Sequence, residues 1–343
     1  MRTSEDLGEL RAALPNLDLV LGYCAEYYRG ETGSDGKGLL SSHWREFAGY
    51  MDARVDEEAD TLNLATRSLG NYKWRGSNRW SAPANWFLDV ACILSHMARL
   101  PERRRIARLF AVGRELGRRM GIDPTRDFFR QVCSMALLEK AVAAHLRTGR
   151  PRVLMIGDGL GVLSALFRAV FPQVSLCLVD IGKSLLFQAY YCQRAHPDCL
   201  HSGVGDADDW ADADFAYCPA EHLRRLEGVG FDAAVNVASM QEMTGEAIAT
   251  YFVFLRRNLK ADNLFYCCNR TRKVMSGGEV ADFFAYPWRP DDHFLVDELC
   301  PWQHYYLSLR RAPLGPRLLG QRIPFVNFYD GETRHRLAVL AKS

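Results

Sequence analysis

Along residues 1–150 the apolar positions return every three or four residues, the period of helices with one buried face. The spacing predicts a helix that opens at Pro101 and ends before Gly121, with Ile106, Leu109, Phe110, Gly113 and Met120 on one side. Arginines cover the rest of it, the pattern of a solvated surface. A second helix is expected from about Asp127 to Arg147, stopped by Gly149. Upstream, "SLGNYKWRGSNRWSAPANW" (Ser68–Trp86) breaks the helical period. It predicts a loop that carries Trp74, Trp80 and Trp86 and either packs on the core or closes over a ligand.

From Pro151 the period changes. Apolar runs of strand length alternate with helices: strand Arg152–Ile156, helix Val162–Phe171, strand Val174–Asp180, helix Lys183–Ala195. Strands Phe215–Cys218 and Phe231–Val235 follow, then helix Glu246–Lys260 and strand Leu264–Cys268. Tyr305–Arg310 and Arg336–Ala341 supply two last strands. Near-continuous apolar strands alternating with helices mean a parallel sheet covered on both faces. The expected architecture is α/β: a Rossmann-like, doubly wound, mostly parallel seven-stranded sheet over residues 150–343. An all-helical region over residues 1–149 precedes it, as a cover for the crevice or a homodimer contact.

Bulk properties narrow the partners. The 343 residues leave room for both regions, and 48% hydrophobic with 24% charged residues is ordinary for a soluble globular chain. A formal charge of +2 and a pI near 8.0 create no strong field, so neither nucleic acid nor an anionic membrane is expected. Ten cysteines scatter without a CxxC pair, several inside strand-like runs, as reduced core thiols of a cytoplasmic protein do. The start "MRTSEDLGELRAALP" lacks the apolar core of a signal peptide, and no run reaches the ~20 apolar residues of a membrane span.

The chemistry concentrates after the first strand. "VLMIGDGLG" carries it straight into Gly157, Asp158, Gly159 and Gly161, with a helix immediately after. Glycines there let the backbone turn sharply and lie against a ligand. The next strand ends in Asp180, and an acid at that tip faces the same crevice and accepts both ribose hydroxyls of an adenosine. A dinucleotide fingerprint wants Gly or Ala at the sixth position, where Val162 stands. G-x-G-x-G instead suits a nucleoside without a pyrophosphate, namely S-adenosyl-L-methionine.

Five segments, "VLMIGDGLG", "LCLVDIGKSLLFQAYYCQR", "FDAAVNVASMQEM", "NLFYCCNR" and "YPW", together resemble the sugar O-methyltransferases of bacterial biosynthetic clusters. The resemblance covers about Arg152 to Trp288 and implies S-adenosyl-L-methionine as cofactor, S-adenosyl-L-homocysteine as product and a small-molecule acceptor. It places the methionine part on the glycine turn, the ribose on Asp180 and the adenine against Ile181. For the third strand it offers "GDADD" (Gly205–Asp209) or "YCPAEH" (Tyr217–His222); the second has the nearer strand spacing and gives Cys218 and Ala220. One departure stands out: Met155 occupies a strand position where such enzymes often carry an acid.

Methyl transfer to a hydroxyl wants a general base at the C-terminal strand ends. Glu242, beyond the fourth strand, is one candidate; Ser239-x-x-Glu242 also has the spacing of a capping box, so it reads as base or as half of a cap. His293 in "YPWRPDDHF" is the other, with Tyr286 and Trp288 as an acceptor wall. Asn236 is a candidate for the cofactor, and Ser239, Asn269 and Arg270 for the acceptor. Strands four and five end in asparagines rather than carboxylates, so no metal site is expected.

Overall fold

Alternation along the strands decides the layers of the molecule. Val153, Met155, Leu176, Leu178, Phe215, Tyr217, Val235 and Tyr266 point to one face, while Leu154, Ile156, Cys177, Val179, Ala216, Cys218, Ala234 and Phe265 point to the other. They belong to a central sheet of β1 (Arg152–Ile156), β2 (Ser175–Asp180), β3 (His201–Gly203), β4 (Phe215–Pro219), β5 (Phe231–Val237), β6 (Leu259–Arg270), β7 (His293–Leu299) and β8 (Thr333–Val339). In this computed structural model their order is β7-β8-β6-β5-β1-β2-β4-β3. Strands β1 to β6 run parallel to one another, and β8 runs antiparallel between β6 and β7. The fold is therefore Rossmann-like, mostly parallel and doubly wound. The structure describes residues 2–26, 41–66, 73–74, 82–123, 125–143, 146, 149–205, 208–303, 305–307, 317–328 and 331–342.

Helices of the described residues include α1 (Ser42–Phe47), α2 (Arg103–Met120), α3 (Arg126–Val142), α4 (Val162–Val170), α5 (Gly182–Ala195) and α6 (Gly245–Asn258). Leu109, Phe128, Val132, Leu166 and Leu185 bury α2 to α5 in one core. Ile248, Phe252 and Leu255 bury α6 in the core on the opposite face. The chain winds outward from β1 through β2 to β4, then returns to β5 on the other flank of β1. That reversal opens a crevice above the C-terminal ends of β1 and β5.

Two expectations change. The N-terminal region is not all helical: Arg2–Asp6, Thr61–Ala65 and Asp52–Asp56 form a three-stranded antiparallel sheet with Thr61–Ala65 in the middle. "TLNLA" buries Leu62 and Leu64 with a period of two, too short a stretch to stand out among helices. The central sheet has eight strands rather than seven, since three-residue β3 adds an edge. Tyr305–Leu307 pairs instead with Val326–Phe328 in a separate ribbon. Its expected place is taken by β7, an edge strand whose mixed exposure erases the apolar run that would announce it. Of the tryptophan segment, Trp80 lies outside the described residues, as do Asp206 of "GDADD" and Arg147. Among the described residues no helix is long and apolar enough to cross a membrane.

Candidate functional site

The glycine turn adopts the conformation that its sequence demands. Gly157, Gly159 and Gly161 have φ of +69°, +61° and +76°, the left-handed region that favours glycine. A Cβ on Gly157 would run into the Ser239 hydroxyl, and one on Gly161 would stand 2.5 Å from the Cys192 sulfur. The first contact ties the turn to the tip of β5, and the second brings the start of α4 tight against α5. Asp158 turns back onto α4, where its carboxylate accepts from the N–H groups of Leu163 (3.3 Å) and Ser164 (2.7 Å) and from the Ser164 hydroxyl (2.6 Å). Burial nonetheless pushes its carboxyl up to about 6. Asp158 thus fixes the shape of the turn.

Asp180 ends β2 at the crevice. It accepts from the Ile181 N–H (2.8 Å) and from the Gln188 side-chain amide (2.6 Å). Burial is the largest influence on its carboxyl, which rises to about 7; the charges of Asp158 and Glu242 add to the rise. Ile181 is half-buried at the start of α5. Pro219 stands opposite Asp180 in register, and Ala220 begins the turn just beyond. Cys218 requires a correction: it is fully buried on the α6 face, where burial pushes its thiol up to about 12, so it is a core side chain. Met155 points into the other core, where an acid would be buried among apolar groups.

The tips of β5 and β6 are joined by a buried polar clasp. The Asn236 amide donates to the Ile156 carbonyl (2.9 Å) and to the Ser239 hydroxyl (2.5 Å), and Ser239 donates to the same carbonyl (3.1 Å). Asn269 donates to Asn236 Oδ1 (2.7 Å) and accepts from the Gln241 N–H (3.1 Å). Gln241 in turn accepts from the Arg270 N–H (2.8 Å). Within the clasp Ala238 takes φ +60°, strained for a side-chain-bearing residue. Asn236 and Asn269 have no exposed surface and Ser239 almost none, so these three position the tips rather than offer groups to a ligand. Arg270 is half-buried where β6 ends.

Glu242 is not half of a cap. Thr244 caps α6, its hydroxyl accepting from the Ala247 N–H (3.2 Å), and the Ser239 side chain makes no cap bond. Met240–Glu242 form a single 3₁₀ turn. From it the Glu242 carboxylate meets Lys273 Nζ at 2.6 Å and His43 Nε2 at 3.3 Å. Burial alone would raise its carboxyl, but the His43 hydrogen bond and the Lys273 charge outweigh that and hold it below the usual range. A carboxylate so held is a weak base and a good anchor.

His293, Tyr286 and Trp288 lie elsewhere. In register His293 faces Val339, which faces Leu264, early in β6 and five residues before Asn269. This is the end of the sheet opposite the crevice. Trp288 packs edge-on against Phe252 at 4.8 Å and stacks on Phe265 at 6.0 Å, while Tyr286 packs against Phe283 at 5.3 Å. The chain has travelled back down the sheet after β6, and the buried Arg256–Asp292 ion pair (2.6 Å) holds it beneath α6. None of the three forms an acceptor wall. Conversely, His43, Lys273 and Gln188 stand at the site without having been singled out. His43 carries no local motif, since Glu242 lies far along the chain; Gln188 sits on the helix after Asp180, where only its spacing hints at contact. Among the described residues no group of three or more His, Cys, Asp or Glu side chains could hold a metal ion.

No protein-family model matches this sequence, and no curated protein is similar to it. Among solved structures, the chain is similar to a cyclopropane synthase of Mycobacterium tuberculosis at 16% identity and TM-score 0.28, over 40% of this chain and 43% of that one. It is also similar to an amino pentose methyltransferase of Micromonospora echinaspora involved in calicheamicin biosynthesis, at 15% identity and TM-score 0.29, over 39% of this chain and 48% of that one. A coclaurine N-methyltransferase bound to N-methylheliamine and SAH aligns at 11% identity and TM-score 0.37, over 61% and 72% of the two chains. The chain thus spans less than half the length of the first two.

Proposed function

We propose that this chain is an S-adenosyl-L-methionine-dependent methyltransferase that acts on a hydroxyl of a small molecule, a sugar or natural-product intermediate, and releases S-adenosyl-L-homocysteine. The observation that carries the reading is the pairing of the left-handed Gly157–Gly161 turn with the Asp180 carboxylate at one crevice. The cofactor would supply an activated methyl on a sulfonium. The Asp180 carboxylate would accept from the ribose hydroxyls, Ile181 and Ala220 would flank the adenine, and the open backbone at Gly157 and Gly159 would take the methionine part. Val162, buried as the first residue of α4, stands where a pyrophosphate site keeps Gly or Ala, which favours a single nucleoside.

With the donor activated, the protein's work is mostly alignment at the crevice. Arg270 and the Glu242 group at the tips of β5 and β6 supply the polar surroundings of the acceptor. Tritiated methyl transfer from S-adenosyl-L-methionine to a panel of monosaccharides, amino sugars and simple phenols tests the reading. Label in a base-stable ether supports it. Label on nitrogen moves the activity to N-methylation, and cofactor binding with no turnover on any member leaves a binding protein in its place.

A further inference from the structure

Polar residues recur on one face of α3. Asp127, Gln131 and Ser134 follow the i, i+4, i+7 spacing of a single stripe, and Thr125 precedes the helix at its N-cap. Ser134 faces the Tyr266 hydroxyl, and one turn earlier the Arg130 charge acts on the Cys268 and Cys300 thiols. Moving up α3 from Ser134 to Arg130 thus moves up β6 from Tyr266 to Cys268, so Asp127 and Thr125 stand at the C-terminal end of the sheet. Register fixes that level. Asn236 pairs with Ile156 on one side and Cys267 on the other, so Cys268 is level with Gly157, two strand spacings or about 10 Å away. Leu299 shares the level of Asn269 across β8, and residues 300–303 continue beyond it. There Trp302 packs edge-on against His335 at 5.2 Å, while His335 stands opposite Cys268 and meets the Tyr266 hydroxyl at 3.2 Å.

Polar atoms in this wedge end without partners. Thr125 Oγ1, Asp127 Oδ2, Gln131 Oε1, Gln303 Oε1 and Trp302 Nε1 are buried and meet no hydrogen-bond partner among the described residues. Arg130 donates to Asp127 Oδ1 (2.6 Å) and leaves Oδ2, and the Thr125 hydroxyl makes no cap bond to its helix. Thr125 is 3% exposed, Gln303 4%, and Asp127 and Trp302 7% each, with Gln131 half-buried. A fold rarely leaves five such atoms unpaired in one place, because each costs the desolvation of a polar group. A ligand that supplies the partners removes that cost.

We propose that this wedge, between the start of α3, the upper ends of β6 and β8 and the turn after β7, binds the methyl acceptor, and that the acceptor is a polyhydroxylated molecule, a sugar; the inference rests on the methyltransferase reading above. Three of the five atoms only accept, the Thr125 hydroxyl does either, and the Trp302 ring N–H only donates. The set matches a molecule that presents several hydroxyl donors and one acceptor oxygen. A simple phenol has one hydroxyl and leaves most of the five atoms buried and unpaired. A polyamine would call for more carboxylates than Asp127. The wedge extends the acceptor's surroundings from the tip of β6, where Arg270 stands, onto the α3 face of the sheet.

The test uses label transfer to the panel above, calorimetry for S-adenosyl-L-homocysteine, and urea unfolding without ligand. Wild type is expected to methylate a monosaccharide or amino sugar at a kcat/KM at least about 100-fold above that for phenols, since a buried polar site rejects molecules that leave it unpaired. With the best such sugar, Gln131→Met and Gln303→Met each raise KM about tenfold with kcat within about twofold, and the double variant raises it about 100-fold. Affinity for S-adenosyl-L-homocysteine stays at the wild-type value. The urea midpoint of each variant stays at or above that of wild type, because Oε1 has no partner in the fold to lose; a merely structural side chain would lower it. An unchanged KM in the double variant, a preference for phenols or a clearly lower urea midpoint overturns the assignment while leaving the methyltransferase reading intact. Wild-type protein that labels no panel member overturns both.

Discussion

The two flanks of the crevice are built in opposite ways. On the β1–β2 flank everything the site needs lies within Arg152–Gln188: a strand, three left-handed glycines, a helix start and an acid at the next tip. On the β5–β6 flank the site is assembled from segments far apart in sequence, with Ser41 and His43 meeting Glu242 and Ser42 meeting Glu279. On the proposed function, the flank that takes the cofactor is local architecture and the flank that takes the acceptor is a product of tertiary packing. In a fold that serves many acceptors, that division lets one flank stay fixed while the other varies.

The largest effect should come from breaking the local flank. Gly157→Ala places a side chain in a left-handed position and against Ser239, so cofactor affinity should fall by 100-fold or more and stability by about 3 kcal/mol, read by calorimetry and denaturant unfolding. Adding Ser239→Gly to that variant should recover part of the stability, because only the clash is relieved and not the backbone strain. If Gly157→Ala binds cofactor normally, the local flank is not the cofactor's cradle.

Breaking the clasp that joins the flanks ranks next. Asn236→Leu removes one donor each from the Ile156 carbonyl and the Ser239 hydroxyl and the oxygen that accepts from the Asn269 amide, and should cost about 2–3 kcal/mol in urea unfolding. A cost under about 0.5 kcal/mol would mean that the network contributes nothing to holding the tips.

The same contrast explains what could be read from the chain. The glycine turn and Asp180 were legible because their signals are short-range: a period change, a turn that only glycine takes easily, and an acid one strand later. "VNVASMQEM" was legible in place but not in role. Asn236 and Ser239 look like ligand groups at a strand tip, yet each is consumed by the clasp, and the cap spacing of Ser239 and Glu242 is coincidental beside the Thr244 cap. His293, Tyr286 and Trp288 mislead because a polar loop after a strand suggests a place at the crevice, whereas β6 is followed by a return down the sheet to start β7. His43 was invisible, since nothing near it in sequence announces the carboxylate that it meets. The antiparallel sheet of the N-terminal region and edge strand β7 escaped for a related reason, being short and half-exposed.

The smallest effect belongs at the far end of the sheet. His293→Ala should change stability by less than about 0.5 kcal/mol and leave label transfer as in wild type, because its exposed ring starts an edge strand away from the crevice. A large loss of activity there would restore it to the site.

The central claim is that Asp180 and the glycine turn bind a nucleoside cofactor, and it carries a sign in pH. The Asp180 carboxyl is raised from 3.8 to about 7 in the folded protein. Its contribution to stability is therefore complete below 3.8 and is lost as pH rises through about 7. Cofactor binding runs the other way, because accepting from ribose hydroxyls favours the ionised form, so affinity should rise with pH over that range. Calorimetric titration of S-adenosyl-L-methionine into wild type and Asp180→Asn at about pH 6 and pH 8 measures this directly. One-to-one binding that tightens at the higher pH in wild type, and that is weakened about tenfold and tightens less with pH in Asp180→Asn, is the predicted result. No binding to the wild type, or equal binding to both proteins at both pH values, would contradict it.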